Sequence, residues 1–203
     1  PAWDSCPAEL REKFTDASRQ DAAEELARAY ELKQILQSLF ESGIIPLIMK
    51  GSSLAYSFYP APYLRTRCDT DLLFDNHEQA EAAWQLLEKA GYKRPGSVSG
   101  ELVSYEFSCF RSSPLGITHT LDMHWRLSNT ASFADTFDFN DLADQAVPIP
   151  ELGEHARGLG AVHALLLACM HRVVNLPFGN ANRLIWLYDI HLLANSFSGE
   201  QWQ

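Results

Sequence analysis

The sequence predicts an α+β fold: a mixed or antiparallel sheet between an N-terminal helix and a C-terminal pair of helices. Three observations predict it. Residues 16–40 carry a long helical pattern, residues 44–150 hold short apolar or alternating runs separated by turns, and two further helical patterns follow residue 155. The domain organisation that follows is an N-terminal helical segment over 1–43, a core over 44–150 and a C-terminal helical segment over 151–203. The chain starts at Pro1 without a methionine and stops at Gln203 after a loop-like Ser-Phe-Ser-Gly, so the C-terminal segment is expected to be truncated.

The first helix is rich in Ala, Glu, Leu, Lys and Gln. Leu26, Ala29, Tyr30, Lys33, Leu36 and Phe40 recur at helical spacing as its inner face, and Gly43 is its stop signal. Ile44-Ile45-Pro46-Leu47-Ile48-Met49 reads as a buried strand, with Pro46 suited to a strand start or edge. Lys50-Gly51-Ser52-Ser53 reads as a turn, and a second helix over 54–59 stops at Pro60. Residues 65–75 read as a strand whose second half, Leu72-Leu73-Phe74, is buried.

Asn76 or Asp75 then caps a helix over 77–90, with Ala80, Ala83, Trp84 and Leu87 facing inward and Gly91 ending it. A strand over 102–110, a turn over 112–116 and a returning strand over 117–127 form a hairpin. Residues 128–150 carry two aromatic-acidic patches and a short strand over 146–149. Helical patterns over 156–174 and 182–193 are joined by the break Asn175-Leu176-Pro177-Phe178-Gly179.

Composition narrows the function classes. With 46% hydrophobic and 21% charged residues, the 203-residue chain has enough apolar side chain to bury a core and is not disordered. The net charge of −10 argues against general nucleic-acid binding, which needs a basic face, but leaves room for a nucleotide neutralised by local cations and a metal. No apolar run is long enough for a membrane span; the longest, near 161–170, is interrupted by His163. The start shows no basic-then-apolar segment of signal-peptide type. Cys6, Cys68, Cys109 and Cys169 are scattered without a Cys-x-x-Cys pair, which reads as reduced thiols in the cytoplasm.

The chemistry concentrates in Arg65-Thr66-Arg67-Cys68-Asp69-Thr70-Asp71. Alternation along a strand places Arg65, Arg67, Asp69 and Asp71 on one face. Two like charges so placed repel unless a hard cation lies between them, and carboxylate oxygens are what Mg²⁺ prefers. The plainer alternative is a solvated strand end. Upstream, Gly51 and Ser52 stand where a strand gives way to a helix. There a phosphate can approach the backbone, with Lys50 adding a charge.

Downstream, Asp122, His124 and Arg126 share a face of the returning strand, so Asp122 can complete a three-carboxylate site. The plainer alternative for Asp122 is a structural contact with Arg126 or His124. His124 can orient a phosphate or a metal-bound water, or be a packed histidine donating to Asp122. Arg67 can reach a triphosphate, neutralise the two aspartates, or both. His163 and His171, eight residues apart on one helix, lack ligand spacing and read as satisfied core or groove histidines. Arg183 and Asp189 read as ties between the last helix and the core. All five tryptophans read as core.

Gly-Ser after a strand, Asp-x-Asp on the next strand and a later strand Asp together resemble the DNA polymerase beta-like nucleotidyltransferase superfamily. More narrowly, Met49-Lys50-Gly51-Ser52-Ser53-Leu54, Arg67-Cys68-Asp69-Thr70-Asp71-Leu72-Leu73, Asp122-Met123-His124-Trp125-Arg126-Leu127 and the helices between His163 and Leu193 resemble a bacterial family of uncharacterised nucleotidyltransferases. The resemblance runs from about Ile44 to Leu193, and the order and spacing of its short pieces make it specific.

The resemblance implies a nucleotidyltransferase-type mixed-sheet core, two Mg²⁺ ions, a nucleoside triphosphate donor and a hydroxyl acceptor on a small molecule, peptide or RNA. It implies Asp69 and Asp71 as paired metal ligands and Asp122 as the third. It also implies a triphosphate contact at Gly51-Ser52, and a base stacked by Trp186 or Tyr188 under the helical appendage. One departure is Lys50 directly before Gly51, where many members carry a small residue. The Lys-Gly form also resembles toxin-type nucleotidyltransferases of phage-defence systems.

Overall fold

A computed structural model describes residues 3–96, 104–114 and 116–202. The first helix, α1 (Ala8–Glu41), starts well before residue 16. Ala8, Glu9, Leu10 and Arg11 are good helix formers placed behind Pro7, and Lys13 pairs with Glu9 one turn away at 3.0 Å. Its inner face is rotated from the expected one. Leu32, Ile35, Leu36 and Leu39 are buried, whereas Leu26 and Tyr30 are 73% and 67% exposed.

Two acids, Glu25 and Glu31, complete that inner face because each meets its partners there. Arg67 donates to Glu25 at 2.7 Å, and Tyr92 donates to Glu31 at 2.8 Å with Arg111 beside it. A pattern of apolar residues does not register a paired carboxylate, which buries only with its partner.

The strand β1 (Leu47–Met49) runs straight into α2 (Lys50–Ser57). The expected turn over 50–53 is therefore absent. Lys50 takes φ 48°, so one left-handed residue reverses the chain and Gly51, Ser52 and Ser53 become the first turn of the helix. After a 3₁₀ turn at Pro62–Leu64 comes β2 (Thr70–Leu73), shorter than expected. Residues 65–67 lie outside it because their backbone groups are taken elsewhere. Arg65 N–H donates to Pro62 O at 3.1 Å, and Arg67 O accepts from Arg28 at 2.7 Å. The alternation expected to align Arg65, Arg67 and Asp69 with Asp71 thus does not operate, since all three lie before β2.

The helix α3 (His77–Lys89) is capped as expected, with Gln79 N–H donating to Asn76 Oδ1 at 2.9 Å, and Ala80, Ala83 and Leu87 are buried. The hairpin consists of β3 (Glu106–Ser112) and β4 (Thr118–His124); residues 102–103 of the expected strand, and Leu115 of its turn, lie outside the described residues. Two short helices, α4 (Ala131–Ala134) and α5 (Phe139–Asp144), precede β5 (Val147–Pro148) and β6 (Arg157–Gly158). The pair α6 (Ala161–Val174) and α7 (Leu184–Ser196) closes the chain. Helix α6 starts later than residue 156 because β6 pairs with the sheet first.

The six strands form one mixed sheet in the order β3-β4-β2-β1-β6-β5, parallel at β2–β4 and β1–β6 and antiparallel elsewhere. On one face Ile48, Leu72 and Met123 pack under α1 and α3. The other face carries Leu47, Met49 and Leu73 against Leu142, Leu159 and Leu193. The second apolar cluster stops short of β4, and there the same face turns polar. Of the tryptophans, Trp84 and Trp125 pack against the core, while Trp3 and Trp202 are 52% and 59% exposed. No helix among the described residues is long and apolar enough to cross a membrane.

Candidate active site

The parallel pairing of β2 with β4 sets Asp71 opposite Asp122. Adjacent strands lie about 4.8 Å apart, so the two carboxylates share one face at close range. The antiparallel β3–β4 register adds Ser108 opposite Asp122 and Glu106 opposite His124. Ser108 donates to Asp122 at 2.6 Å. His124, 2% exposed, bridges two acids: Nε2 lies 2.9 Å from Asp71 and Nδ1 lies 2.8 Å from Glu106. Both ring nitrogens thus face carboxylate oxygens, an arrangement that favours the protonated imidazole. Burial opposes that charge, but the two carboxylates raise its pKa above the ordinary histidine value. His124 donates to Asp71 and Glu106, not to Asp122.

Lys50 approaches Asp71 from the end of β1, whose Met49 pairs with Asp71, and its Nζ lies 2.6 Å from the same Oδ1 that His124 meets. Burial works against the Asp71 charge, yet His124 and Lys50 outweigh it and hold the carboxyl at about 2. Asp69 and Asp122 behave oppositely. Burial first, and the neighbouring carboxylates with it, push both above the usual range. Charge repulsion between acids is thus only partly relieved by Lys50 and His124.

That residual negative charge is what a divalent cation would relieve. Ligand atoms of Asp71, Asp122 and His124 lie within 4.8 Å of one another. Since both His124 nitrogens are engaged by acids, the available donors are carboxylate oxygens, which suit a hard divalent ion. Asp69 is in the wall of the same cavity but outside that tight group.

The cavity above these acids has a volume of about 460 Å³. Lys50, Gly51 and Ser53 from α2 form one side, and Leu167 and His171 from α6, Trp186 from α7 and Arg183 just before α7 the other. His171 stands edge-on to Trp186 at 4.5 Å, with burial pushing its pKa down. Arg65 and Asp189 tie α7 to this wall through paired contacts of 2.8 and 2.7 Å, and Tyr59 donates to the same Asp189 at 2.7 Å. Arg183 stacks instead over Trp186, 5.0 Å from its ring.

Two residues expected at the phosphates make contacts of their own within the protein, Arg67 while also lining the cavity. The Ser52 hydroxyl lies 3.1 Å from Thr70 Oγ1 and 3.3 Å from Asp69 O, where it steadies the start of β2; Ser53 lines the cavity in its place. The Arg67 guanidinium turns to Glu25, with Tyr56 close by, while its Nε and Nη1 have no hydrogen-bond partner among the described residues. His163 is buried but not satisfied: it packs on Phe137, and its Nδ1 lacks a partner among the described residues.

A family model described as an uncharacterised nucleotidyltransferase matches residues 1–203. The chain belongs to that family. No curated protein matches the chain. Membership in a nucleotidyltransferase family fits the acids on β2 and β4, which supply the oxygen donors that metal-assisted phosphoryl chemistry needs. It also implies a nucleoside triphosphate as substrate.

Glu106 belongs to the group of charged residues around His124, and reasoning from single strands misses it. Its signal lies in the hairpin: a turn closed by Gly116 N–H on Ser113 O carries the β3–β4 ladder back to Glu106 opposite His124. His171, Ser53 and Arg65 reach the cavity only through packing and carry no such signal.

Proposed function

We propose that the protein transfers a nucleotidyl group from a nucleoside triphosphate to a hydroxyl acceptor and releases pyrophosphate. The observation that carries this reading is the in-register placement of Asp71 and Asp122 at the floor of a 460 Å³ cavity. Asp69, Asp71 and Asp122 are the assigned metal ligands, for two Mg²⁺ ions. When bound, the ions supply neutralisation of the phosphate oxygens and of the charge that develops during in-line displacement.

The chain's own residues do the rest. The triphosphate lies along the head of α2, where the Gly51 N–H donates to a phosphate oxygen and Lys50 offers a cation. Gly51 has no side chain to hold the phosphate away, and a Cβ there would lie 3.3 Å from the Arg65 guanidinium. The base and sugar occupy the far side, against Leu167, His171 and Trp186. Asp122 accepts the acceptor proton as the new oxygen–phosphorus bond forms at the α-phosphate and the bond to pyrophosphate breaks. Burial and neighbouring acids raise the Asp122 pKa, which makes it the better base of the pair. His124 and Glu106 hold Asp71 in place, Ser52 steadies the start of β2 at Asp69, and Arg67 braces this loop against α1.

The acceptor is a small molecule, a peptide or an RNA end, and the net charge of −10 weighs against RNA. A nucleotide sensor without transfer is the other class of reading, and the three acids together favour chemistry over sensing. The cytoplasm, which supplies triphosphates and keeps thiols reduced, is the assigned compartment. The deciding experiment incubates the protein with Mg²⁺, each triphosphate in turn and cell extract, and follows masses. Gain of one nucleotide on any molecule is the expected result. Triphosphate binding without transfer or pyrophosphate release in every mixture would overturn the transferase reading in favour of sensing.

A further inference from the structure

Lys50 is the only non-glycine residue with a positive φ, 48°, among the described residues. L-residues avoid this conformation because Cβ crowds the following carbonyl, so it persists where the surroundings impose it. What the strained position achieves is visible in the side chain. Its ammonium comes to rest 2.6 Å from Asp71 Oδ1, at the edge of the acid group formed with Asp122 and His124. A divalent cation seeks the same carboxylate. Ammonium and metal therefore compete for Asp71.

The two partners are also unequally buried. The Asp71 side chain is 7% exposed and locked by His124, whereas the Lys50 side chain is 26% exposed and borders the cavity. Of the two, the lysine is free to leave. Its stem is flexible, and its charge is a compact point that any anion within reach satisfies equally well.

We propose that Lys50 is a mobile counter-cation of the metal site, which neutralises Asp71 before a divalent ion binds, yields Asp71 to that ion, and then pairs with a phosphate oxygen of the triphosphate. This rests on the metal and triphosphate reading given above. It adds a coupling between the two ligands: a triphosphate draws the ammonium away from Asp71 and so favours the metal, and the metal by linkage favours the triphosphate. The exchange involves ion pairs only; no covalent bond forms or breaks.

Lys50→Met and Lys50→Asn test it, the second because asparagine tolerates positive φ and keeps the fold accessible if the first does not. Mn²⁺ binding is titrated calorimetrically without nucleotide, and a non-hydrolysable triphosphate analogue is then titrated with Mn²⁺ present. Mn²⁺ affinity is expected to rise about tenfold in both variants, because the competing cation is gone. Analogue affinity is expected to fall by a similar factor, and the help each ligand gives the other to shrink. Mn²⁺ affinity that stays at the wild-type value or drops in both variants overturns the counter-cation role while leaving the metal site standing. Failure of the wild type and both variants to bind Mn²⁺ overturns the metal reading, and this inference with it.

Discussion

Arg65 and Asp189, 124 residues apart in sequence, form a two-pronged ion pair with each side chain less than a tenth exposed. The pair holds α7 to the loop before β2 and so closes the cavity over the acids. A buried ion pair contributes little net stability when intact, but loss of one partner strands the other charge. Asp189→Ala is expected to cost about 3–5 kcal/mol in urea denaturation, since it also orphans the Tyr59 hydroxyl. Arg65→Met with Asp189→Leu is expected to recover most of that loss. A single-variant cost below about 1 kcal/mol would show that the guanidinium finds water or another acid.

Gly51 lies under the same arginine, with the guanidinium carbon and one nitrogen 3.3 Å from where a Cβ would stand. Arg65 cannot swing aside without giving up Asp189. Gly51→Val is therefore expected to weaken triphosphate binding by about tenfold or more, ~1.4 kcal/mol. Ser53→Ala, which removes one hydroxyl from the cavity wall, is expected to cost less. Equal and normal binding in both variants would remove the head of α2 from the phosphate site.

Asp122 separates binding from chemistry. Asp122→Asn keeps the shape and an oxygen for the Ser108 hydroxyl but removes the basic carboxylate. Triphosphate affinity is expected to stay within about tenfold of wild type, while turnover falls on the order of 10²-fold or more. Calorimetry and pyrophosphate release on one preparation measure the two. Wild-type turnover in this variant would make Asp122 structural.

Acid stability reports on Asp71. Its folded pKa of about 2 lies below the ordinary 3.8 because His124 and Lys50 outweigh the effect of burial. The unfolded chain binds that proton more readily, so the stabilisation is complete above about 3.8 and is lost as pH falls toward 2, a change of about 2 kcal/mol. His124 has the opposite sign. Its raised pKa contributes stability in full below 6.5, which is lost as pH rises through the folded value. Denaturation across pH is expected to show a shallower acid limb in Asp71→Asn and a shallower alkaline limb in His124→Gln. Limbs identical to wild type would show that the two groups are not paired in solution.

The α+β alternation, the cap at Asn76 and the carboxylates Asp71 and Asp122 on apolar strands are legible from local rules, because period, capping and an acid within an apolar run are properties of neighbouring residues; Asp69 lies just before β2. Asp71 and Asp122 meet as expected for that reason: each belongs to a short apolar strand, and such strands bury together. Where local rules fail, the competing partner lies far along the chain. Leu26 and Tyr30 lose the inner face of α1 to Glu25 and Glu31, whose partners Arg67 and Arg111 are 42 and 80 residues away.

By itself, then, the sequence determined the α+β class and the setting of Asp71 and Asp122 each within a short apolar strand, both properties of local runs of residues. Only the tertiary structure decided their electrostatic states. It placed Lys50 and His124 on Asp71, Glu106 behind His124, Ser108 on Asp122, and α7 across the cavity through Asp189. Three of those contacts join residues 21, 53 and 124 positions apart, and charge pairing at such separations follows from register and packing, which no local pattern specifies.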